Sequence, residues 1–397
     1  MNIRDEMLDV IRGEIPRGLL FVPRLDVWYH HNRARGTLPV GYEQLSLPEV
    51  AGKLGVGTHS VIPDFIRSAP QEDVVHRGLG FYNNPAFPYR VDFHNVDFQV
   101  EKTPDELRVT YRGSLGAVTT RFRYGPALFA SGVSIPDILE YPIKRVDDYR
   151  VLAQILSGVE ILPTPDGYRA YHDQIGNDGL AVAFLSAAAG PMQHILRDLR
   201  TYEGFWYDQW DYPDQVQVLS ESLGRIYEQM IGCVLESCAE VVLFGANYDD
   251  ALTPPPFFAR YILPWLNQVG DRLHGAGKYL LTHTDGENKR LLPMLGQCRF
   301  DVADSICPAP MTALTLMEYR REFGSKCTIW GGVPSVLLLK HSCGDDEFQV
   351  FVQSLIHECK PYDHLILSIA DTTPPDADFA RIQYVCEACS ATRGKSV

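Results

Sequence analysis

The sequence lacks the marks of a membrane or secreted protein. No apolar run reaches the roughly 20 residues that a membrane-spanning helix needs, and the opening stretch, residues 1–7, is charged and carries no apolar segment of the signal-peptide kind. The nine cysteines are an odd number scattered over the second half of the 397 residues, which argues against a disulfide framework. We therefore expect a cytoplasmic protein.

Basic residues are also scarce relative to acidic ones. Lys and Arg total 36 against 50 Asp and Glu, so the formal net charge is −14. A chain of this charge repels phosphate backbones and anionic lipid, so we expect neither a nucleic-acid nor a membrane partner. The sequence has no G-x-G-x-x-G after a first strand and no G-x-x-x-x-G-K-[ST]. These absences disfavour a dinucleotide-binding fold and a P-loop.

What the sequence does contain is a long strand–helix repetition. The strand candidates after about residue 143 are short and continuously apolar, as in a parallel sheet covered on both faces; they are 180–185, 241–244, 279–282, 302–306, 328–330 and 364–368. Amphipathic helices lie between them, one of which opens at Pro213. The repetition predicts an α/β fold, either a (β/α)8 TIM-type barrel or a doubly wound sheet.

The stretch from about residue 80 to 140 has a different pattern. Apolar and polar residues alternate over 89–100, 106–112 and 117–124, which predicts antiparallel hairpins. Strand candidates on both sides of this stretch are needed to close a barrel. We therefore predict a single TIM-type barrel domain over 1–397, with a β-rich hairpin lobe inserted at 80–140.

Polar residues follow the apolar strands in a consistent way. In a barrel, the C-terminal strand ends carry the functional site, although turn chemistry also enriches Asp, Asn and Gly at such places. From their positions after the strands, we predict catalytic roles for Asp249, Asp250 and Glu287, and substrate-binding roles for Asn247, Tyr248 and Trp330.

The most specific polar motif is His283-Thr-Asp285. Residues two apart on an extended segment point to the same side, so imidazole and carboxylate could bind one metal ion or act as a base and its orienting partner. Asp371 follows a later strand and could supply a third ligand. The structural alternative is that Asp285 caps a turn and His283 hydrogen-bonds a neighbour.

A second concentrated polar stretch lies near the N-terminus. Arg33 and Arg35 stand beside Gly36, and two arginines in a loop could clamp a substrate carboxylate bidentately. We therefore predict that both arginines bind substrate. The alternative is a solvated loop.

In several ordered motifs the sequence resembles the uroporphyrinogen decarboxylase superfamily, which includes zinc- and corrinoid-dependent methyltransferases. The motifs that carry the resemblance match in order and spacing; they are 190–194, 263–266, 281–286, 300–308, 321–324 and 329–333, with weaker echoes at 26–36 and 141–148. The resemblance implies a TIM-type barrel with its site at the strand C-termini. The methyltransferases' zinc ligands, H-x-C and a distant Cys, fall on His283, Asp285 and Asp371, so carboxylates occupy both thiolate positions.

The resemblance implies an enzyme and leaves two activities as alternatives. The first is a methyltransferase that moves a methyl group from a small methylated substrate, an O-methyl compound by preference, to a corrinoid protein, with a divalent metal or an acid activating the leaving group. We expect zinc as the metal, with iron or manganese as alternatives. The second is a metal-free decarboxylase that binds carboxylates through arginines. A non-catalytic role on a barrel scaffold and a homodimeric assembly are both left open.

Overall fold

The central feature of the fold is a parallel sheet of short, buried strands. The computed structural model describes residues 2–61, 70–123 and 137–393. Numbered along the chain, the strands are β1 (Leu20–Phe21), β2 (Tyr89–Asp92), β3 (Asp97–Lys102), β4 (Glu106–Gly113), β5 (Gly116–Arg123), β6 (Asp137–Glu140), β7 (Glu160–Pro163), β8 (Val182–Ser186), β9 (Val241–Ala246), β10 (Tyr279–His283), β11 (Val302–Ile306), β12 (Thr328–Pro334) and β13 (Leu365–Ala370). Seven of them pair in the order β1-β13-β12-β11-β10-β9-β8.

A further extended segment, residues 57–60, joins the two edges of this sheet. Gly57 N donates to the carbonyl of Phe21 in β1 (3.4 Å), and Val182 N in β8 donates to the carbonyl of Ser60 (3.2 Å). Thr58 also pairs in parallel with Gly179, just before β8. The strand order runs in sequence without the reversal of a doubly wound sheet. The predicted TIM-type barrel is confirmed.

Helices cover the outside of the sheet, as the strand–helix alternation predicts. In chain order they are Ile3–Ile11, Asp26–Arg35, Leu47–Leu54, Pro70–Arg77, Val146–Leu156, Pro165–Ile175, Pro191–His194, Tyr202–Asp211, Pro213–Glu236, Pro255–Phe257, Leu263–Gly275, Leu292–Leu295, Leu316–Phe323, Asp345–Glu358 and Phe379–Arg393. Two short helices continue into π-helical turns: Pro191–His194 into Ile195–Leu199, and Pro255–Phe257 into Phe258–Ile262. Strand β12 continues into a 3-10 turn, Ser335–Leu338. Among the described residues, no helix is both long and apolar enough to cross a membrane.

The helix that opens at Pro213 shows how the apolar stripe sets the packing. Its predicted stripe is buried against the barrel, because apolar residues spaced by three and four positions share one helix face; the buried members include Val216, Leu219, Leu223, Ile226, Met230 and Val234. Val218, another apolar residue of this helix, is exposed. It lies one position off the buried face.

The β-rich lobe is a separate antiparallel sheet in the order β3-β4-β5-β6. The alternation over 89–100 predicts one strand, but the structure breaks it: β2 pairs with β7, and a turn closed by Val96 N to the Phe93 carbonyl (3.0 Å) precedes β3. β2 buries every second side chain, as a half-buried strand does, whereas all six residues of β3 are exposed despite their alternating sequence. The inner face of the lobe buries Tyr111, whose hydroxyl donates to the Val75 carbonyl.

Barrel closure generates a prediction at Gly179. A Cβ there would lie 2.3 Å from the Thr58 carbonyl oxygen, so any side chain must push the closing segment away from β8. We expect Gly179→Ala to lower the free energy of unfolding by about 1–3 kcal/mol, the usual cost of overpacking, measured by urea unfolding.

The matched control is Gly232→Ala, inside the helix Pro213–Glu236, where a Cβ meets nothing within 4 Å. That change should leave stability unchanged or raise it by about 0.5–1 kcal/mol. Equal effects of the two substitutions would contradict the closure at Thr58.

Candidate functional site

Polar side chains from four strands meet at the C-terminal edge of the barrel. His283 is the last residue of β10, and its register partner in β11 is Asp304. Residues in register on neighbouring parallel strands place their side chains side by side on one face. Asp371 directly follows β13, and Arg24 follows β1. Strand register therefore brings an imidazole, two carboxylates and a guanidinium together.

His283 is held at both ring nitrogens. Its Nδ1 lies 2.6 Å from Asp304 Oδ2, and its Nε2 lies 3.2 Å from Asp371 Oδ1. The imidazole is buried, with 5% of its surface exposed. Two carboxylates on one buried ring fix its orientation, since a rotation would break both contacts.

Asp371 is itself positioned by several donors. Its Oδ1 accepts hydrogen bonds from Ser305 Oγ (3.0 Å) and Arg24 Nη1 (3.1 Å), in addition to the contact with His283. Ser305 has a φ of +64° at an irregularity in the β11–β12 register, a left-handed conformation that costs of order 1–3 kcal/mol in a residue other than glycine. Within the described residues, Asp371 Oδ2 makes no hydrogen bond and remains available.

Asp304 joins two imidazoles. Besides His283, it contacts His59, whose Nε2 lies 3.6 Å from Asp304 Oδ1. His59 belongs to the closing segment 57–60, and its ring packs 4.9 Å from the ring of Trp330. The carboxylate of Asp304 is thus a buried link between the closing segment and β10.

The charges in this cluster shift each other's pKa values. Burial alone would lower the pKa of His283, but Asp304 and Asp371 outweigh it and raise that pKa to about 10. Burial alone would raise the pKa of both carboxylates. His283, with His59, instead lowers the pKa of Asp304 to about 2, and His283, Arg24 and Ser305 hold the pKa of Asp371 below its usual range. In the ion-free protein the imidazole is therefore cationic between two carboxylates.

Asp285 completes a set of metal-ligand atoms. One ligand atom each from His283, Asp285 and Asp371 lie within 4.8 Å of one another. Burial and the neighbouring charge of Asp371 raise the pKa of Asp285, because two carboxylates close together repel. One nitrogen and two carboxylate oxygens suit a divalent zinc, iron or manganese ion. Metal-binding histidines usually have a hydrogen-bond partner on their other ring nitrogen, and Asp304 is that partner at Nδ1 of His283. The donor set fits a divalent metal.

The three residues predicted to be catalytic brace the loops around the site. Asp249 Oδ1 accepts from the backbone N–H groups of Ala251 and Leu252, and Asp250 Oδ2 accepts from that of Arg290. Glu287 accepts from the backbone of Lys289 and Ala313, joining two loops. These contacts are the turn chemistry that also enriches Asp and Asn after strands. A catalytic role for the three carboxylates stays a prediction.

The aromatic residues predicted to bind substrate are placed differently from expectation. Trp330 is fully buried and donates from its indole to the Val22 carbonyl (3.1 Å), so it packs inside the barrel and does not line an open mouth. Tyr248 is also fully buried, with its hydroxyl 2.7 Å from Thr282 Oγ1. Buried aromatic residues with polar groups take such internal partners. Asn247 is exposed, with a φ of +59°.

The predicted arginine loop is a helix, Asp26–Arg35, closed by Gly36 at a φ of +67°. Arg33 donates to the Tyr29 hydroxyl and the Leu45 carbonyl, whereas Arg35 is exposed beside His31. Side chains two positions apart on a helix do not face each other. Arg33 and Arg35 therefore do not form the bidentate carboxylate clamp expected of two arginines in a loop. Arg33, but not Arg35, lines the cavity described next.

A cavity of about 660 Å³ borders the cluster. Arg24, Asp26 and His59 line it, so the residues that support Asp371 and Asp304 also form part of its wall. Asp26 accepts from Arg24 Nε and from the Thr372 hydroxyl (both 3.2 Å). The buried cluster is thereby connected to a space large enough for a small molecule.

The sequence does not predict four residues of the cluster: Arg24, His59, Asp304 and Ser305. The position of Asp304 in the sequence indicates a paired carboxylate, because a carboxylate in the middle of a buried strand needs a partner. Arg24 ends an apolar segment in the same way. His59 and Ser305 carry no such signal, since their positions depend on barrel closure and on a local irregularity.

The pKa shift of His283 generates a pH prediction for the protein stripped of metal. A raised folded-state pKa adds stability that is complete below the unfolded value near 6.5 and is lost as pH rises towards about 10. We expect the free energy of unfolding to fall over this window, with a slope of at most about 1.4 kcal/mol per pH unit.

The comparison variant is His283→Gln, measured by urea unfolding from pH 6.5 to 10. It should show a flatter profile than the wild type, because the titrating imidazole is gone. Identical profiles would contradict a cationic His283.

Comparisons with known proteins extend the sequence resemblance. The family profile described as "Uroporphyrinogen decarboxylase (URO-D)" matches residues 129–392, more than half of the chain. No curated protein matches. A methyltransferase from Methanosarcina mazei superposes with a TM-score of 0.51 at 13% identity, covering 99% of this chain and 98% of the other. A B12-independent methionine synthase from Shewanella sp. W3-18-1 gives 0.40 at 12% identity, with 95% of each chain covered.

At these identities the structural likeness concerns the fold alone, and the Methanosarcina protein shares it over nearly the full length of both chains. The family profile spans β8 to β13, the strands that carry His283, Asp285, Asp304 and Asp371. The chain belongs to the uroporphyrinogen decarboxylase (URO-D) family.

Proposed function

We propose that the protein is a methyltransferase that takes a methyl group from an oxygen of a small substrate and transfers it to a corrinoid carried by a partner protein. The observation that supports this proposal is the ligand set of His283, Asp285 and Asp371 at the C-terminal edge of the barrel. A methyltransferase of the same fold is among its structural relatives, and this is consistent with the proposal.

In this proposal His283, Asp285 and Asp371 would hold a divalent metal. A bound metal ion supplies Lewis-acid stabilisation of the negative charge that develops on the leaving oxygen. Carboxylates are harder ligands than thiolates, so the set favours an oxygen leaving group such as a phenolate. The carbon–oxygen bond breaks with its electron pair kept by that oxygen, and the methyl group passes to the acceptor.

The chain's own residues prepare this site. Asp304 holds the Nδ1 side of the ring and directs Nε2 towards the ligand cluster. Arg24 and Ser305 both bind Oδ1 of Asp371, so its Oδ2 is left for the metal or the substrate. A ligand side chain held in this way needs little rearrangement when the metal binds.

The second candidate is decarboxylation without metal. It is favoured by the cationic His283, which could protonate a carbanion, and by Arg24 and Arg33 on the cavity wall. Against it, Arg24 already pairs with Asp26 and Asp371, and Arg33 already bonds Tyr29 and the backbone. We therefore rank it below methyl transfer.

Metal content tests the ligand set. After loading with Zn²⁺ or Mn²⁺ and removal of free ion, we expect about one ion per wild-type chain. Asp371→Ala and Asp285→Ala should lose it, and Asp304→Asn should weaken affinity by roughly 10- to 100-fold, as loss of a partner behind a ligand does. Elemental analysis gives the stoichiometry.

The control is His274→Ala. His274 also pairs with a carboxylate, Asp301 (2.9 Å), which lies just before β11, at the other end of the strand from the site. This change should leave the metal content as in the wild type. Full occupancy in both Asp371→Ala and Asp285→Ala, or no ion in the wild type, would defeat the ligand set.

Turnover separates the two activities. We expect the metal-loaded protein to release a phenol from a small aryl methyl ether when reduced cobalamin is supplied as acceptor, and to stop when a chelator removes the metal; chromatography measures the phenol. Uroporphyrinogen decarboxylation that persists with chelator would instead establish the second candidate.

A further inference from the structure

The hairpin lobe ends in an open strand edge. β3 is the outermost strand in the order β3-β4-β5-β6, and within the described residues its only partner is β4. All six of its side chains are exposed, so both faces of the strand are accessible. Proteins commonly protect such edges with bulges or prolines. β3 has neither, because its pairing with β4 is regular over residues 97–102 and those residues include no proline.

The exposed strand carries part of the lobe's apolar face. Phe98 and Val100 are each 40% exposed. Their register partners in β4 are Tyr111 and Val109, which are both buried. Directly opposed side chains share one face of a sheet, so the buried face of the lobe continues onto β3 and is uncovered there. The alternating sequence of β3 is that of a half-buried strand whose second neighbouring strand is not among the described residues.

The hydrogen-bond pattern shows which backbone groups of β3 face outward. Thr103 N donates to the Glu106 carbonyl (2.9 Å) at the turn between β3 and β4, so these two residues form a hydrogen-bonded pair. Such pairs recur at every second residue of an antiparallel ladder, and residues 97, 99 and 101 therefore bond to β4. The N–H and C=O groups of Phe98, Val100 and Lys102 point to the open edge, where they can pair with another strand.

We propose that β3 pairs antiparallel with β3 of a second copy of this chain, about a two-fold axis at Val100, so that the two hairpin lobes form one continuous sheet. A two-fold axis uses the same surface on both copies, and a strand edge with outward N–H and C=O groups is complementary to itself in this arrangement. The proposal concerns the lobe and does not depend on the reaction at the barrel.

The side chains select the register. With the axis at Val100, this valine lies opposite its own copy and Phe98 lies opposite the partner's Lys102, whose aliphatic stem can pack on the ring. The apolar row of each lobe then continues into the other. An axis at Gln99 would instead place Asp97 opposite the partner's Glu101, and directly opposed like charges are destabilising.

The charges of the lobe favour self-association although the whole chain has a net charge of −14. On the outer face of β3, Asp97 stands opposite Arg112 of β4, and Glu101 stands opposite Arg108. Opposite charges in directly opposed positions attract, so the acids of β3 are balanced within their own lobe. The edge that a second copy meets is therefore less repulsive than the rest of the surface.

The test is sedimentation velocity at about 1–100 μM protein, in about 0.15 M salt so that the net charges are screened beyond roughly 8 Å. We expect the wild type to be a dimer at the upper end and to dissociate on dilution, because one strand from each copy makes a small interface with a dissociation constant in about the micromolar range. Val100→Lys should be monomeric throughout, since it places two like charges on the axis.

A mixture of variants tests the axis itself. Val100→Glu alone should also be monomeric, whereas an equimolar mixture of Val100→Lys and Val100→Glu should recover the dimer, because opposite charges then meet across the axis. The control is Val350→Lys, the same change at a valine that is 66% exposed on the helix Asp345–Glu358. It should keep the wild-type dimer.

Each outcome decides the proposal. A wild type that is monomeric at 100 μM, a dimer that persists in Val100→Lys, or a mixture that stays monomeric would overturn it. Hydrogen exchange of the wild type gives a test without substitutions, in case the variants do not fold. Exchange over residues 97–102 should be slower at 100 μM than at 1 μM, with β4 unchanged, and equal exchange of β3 at both concentrations would also overturn the pairing.

Discussion

The site depends on the contact between His283 Nδ1 and Asp304 Oδ2, 2.6 Å apart on neighbouring strands. The pair exists because β10 and β11 are in register at these two residues. A one-residue slip would turn one side chain to the other face of the sheet. Two further contacts build on this pair: Asp371 meets the other ring nitrogen of His283, and His59 meets the other oxygen of Asp304. The barrel's hydrogen-bond register is therefore the constraint that orients the proposed metal ligand.

Placing this much charge in a buried site is costly, and the structure offsets the cost by pairing. Two carboxylates and one imidazolium would leave a net negative charge, and Arg24 supplies a cation on Asp371. Asp285 stays apart from this pairing, and burial and the charge of Asp371 raise its pKa. The proposed divalent ion would supply positive charge there in place of the proton of His283.

Much of the architecture could be predicted from the sequence, since short apolar strands alternating with amphipathic helices leave few folds. Local spacing predicts that His283 and Asp285 lie together, because i and i+2 on an extended chain share a side. The position of Asp371 after a later strand predicts that it joins them, and the three side chains do lie close together. Trp330 and Tyr248 are predicted to bind substrate but are fully buried, because a strand-end position does not tell which way a side chain points. The charge pattern of this stretch does not predict the helix Asp26–Arg35, whereas Gly36, at a φ of +67°, is a typical helix-ending residue. His59 could not be found at all, since its contact exists only once the barrel closes.

X-ray absorption spectroscopy of the metal-loaded protein tests the central claim most directly. With zinc bound by His283, Asp285 and Asp371, the first coordination shell should contain only nitrogen and oxygen at about 2.0–2.2 Å, with an imidazole scattering pattern behind one ligand. The pattern should lose its imidazole component in His283→Gln. A sulfur shell at about 2.3 Å, or an unchanged imidazole component in that variant, would contradict the account.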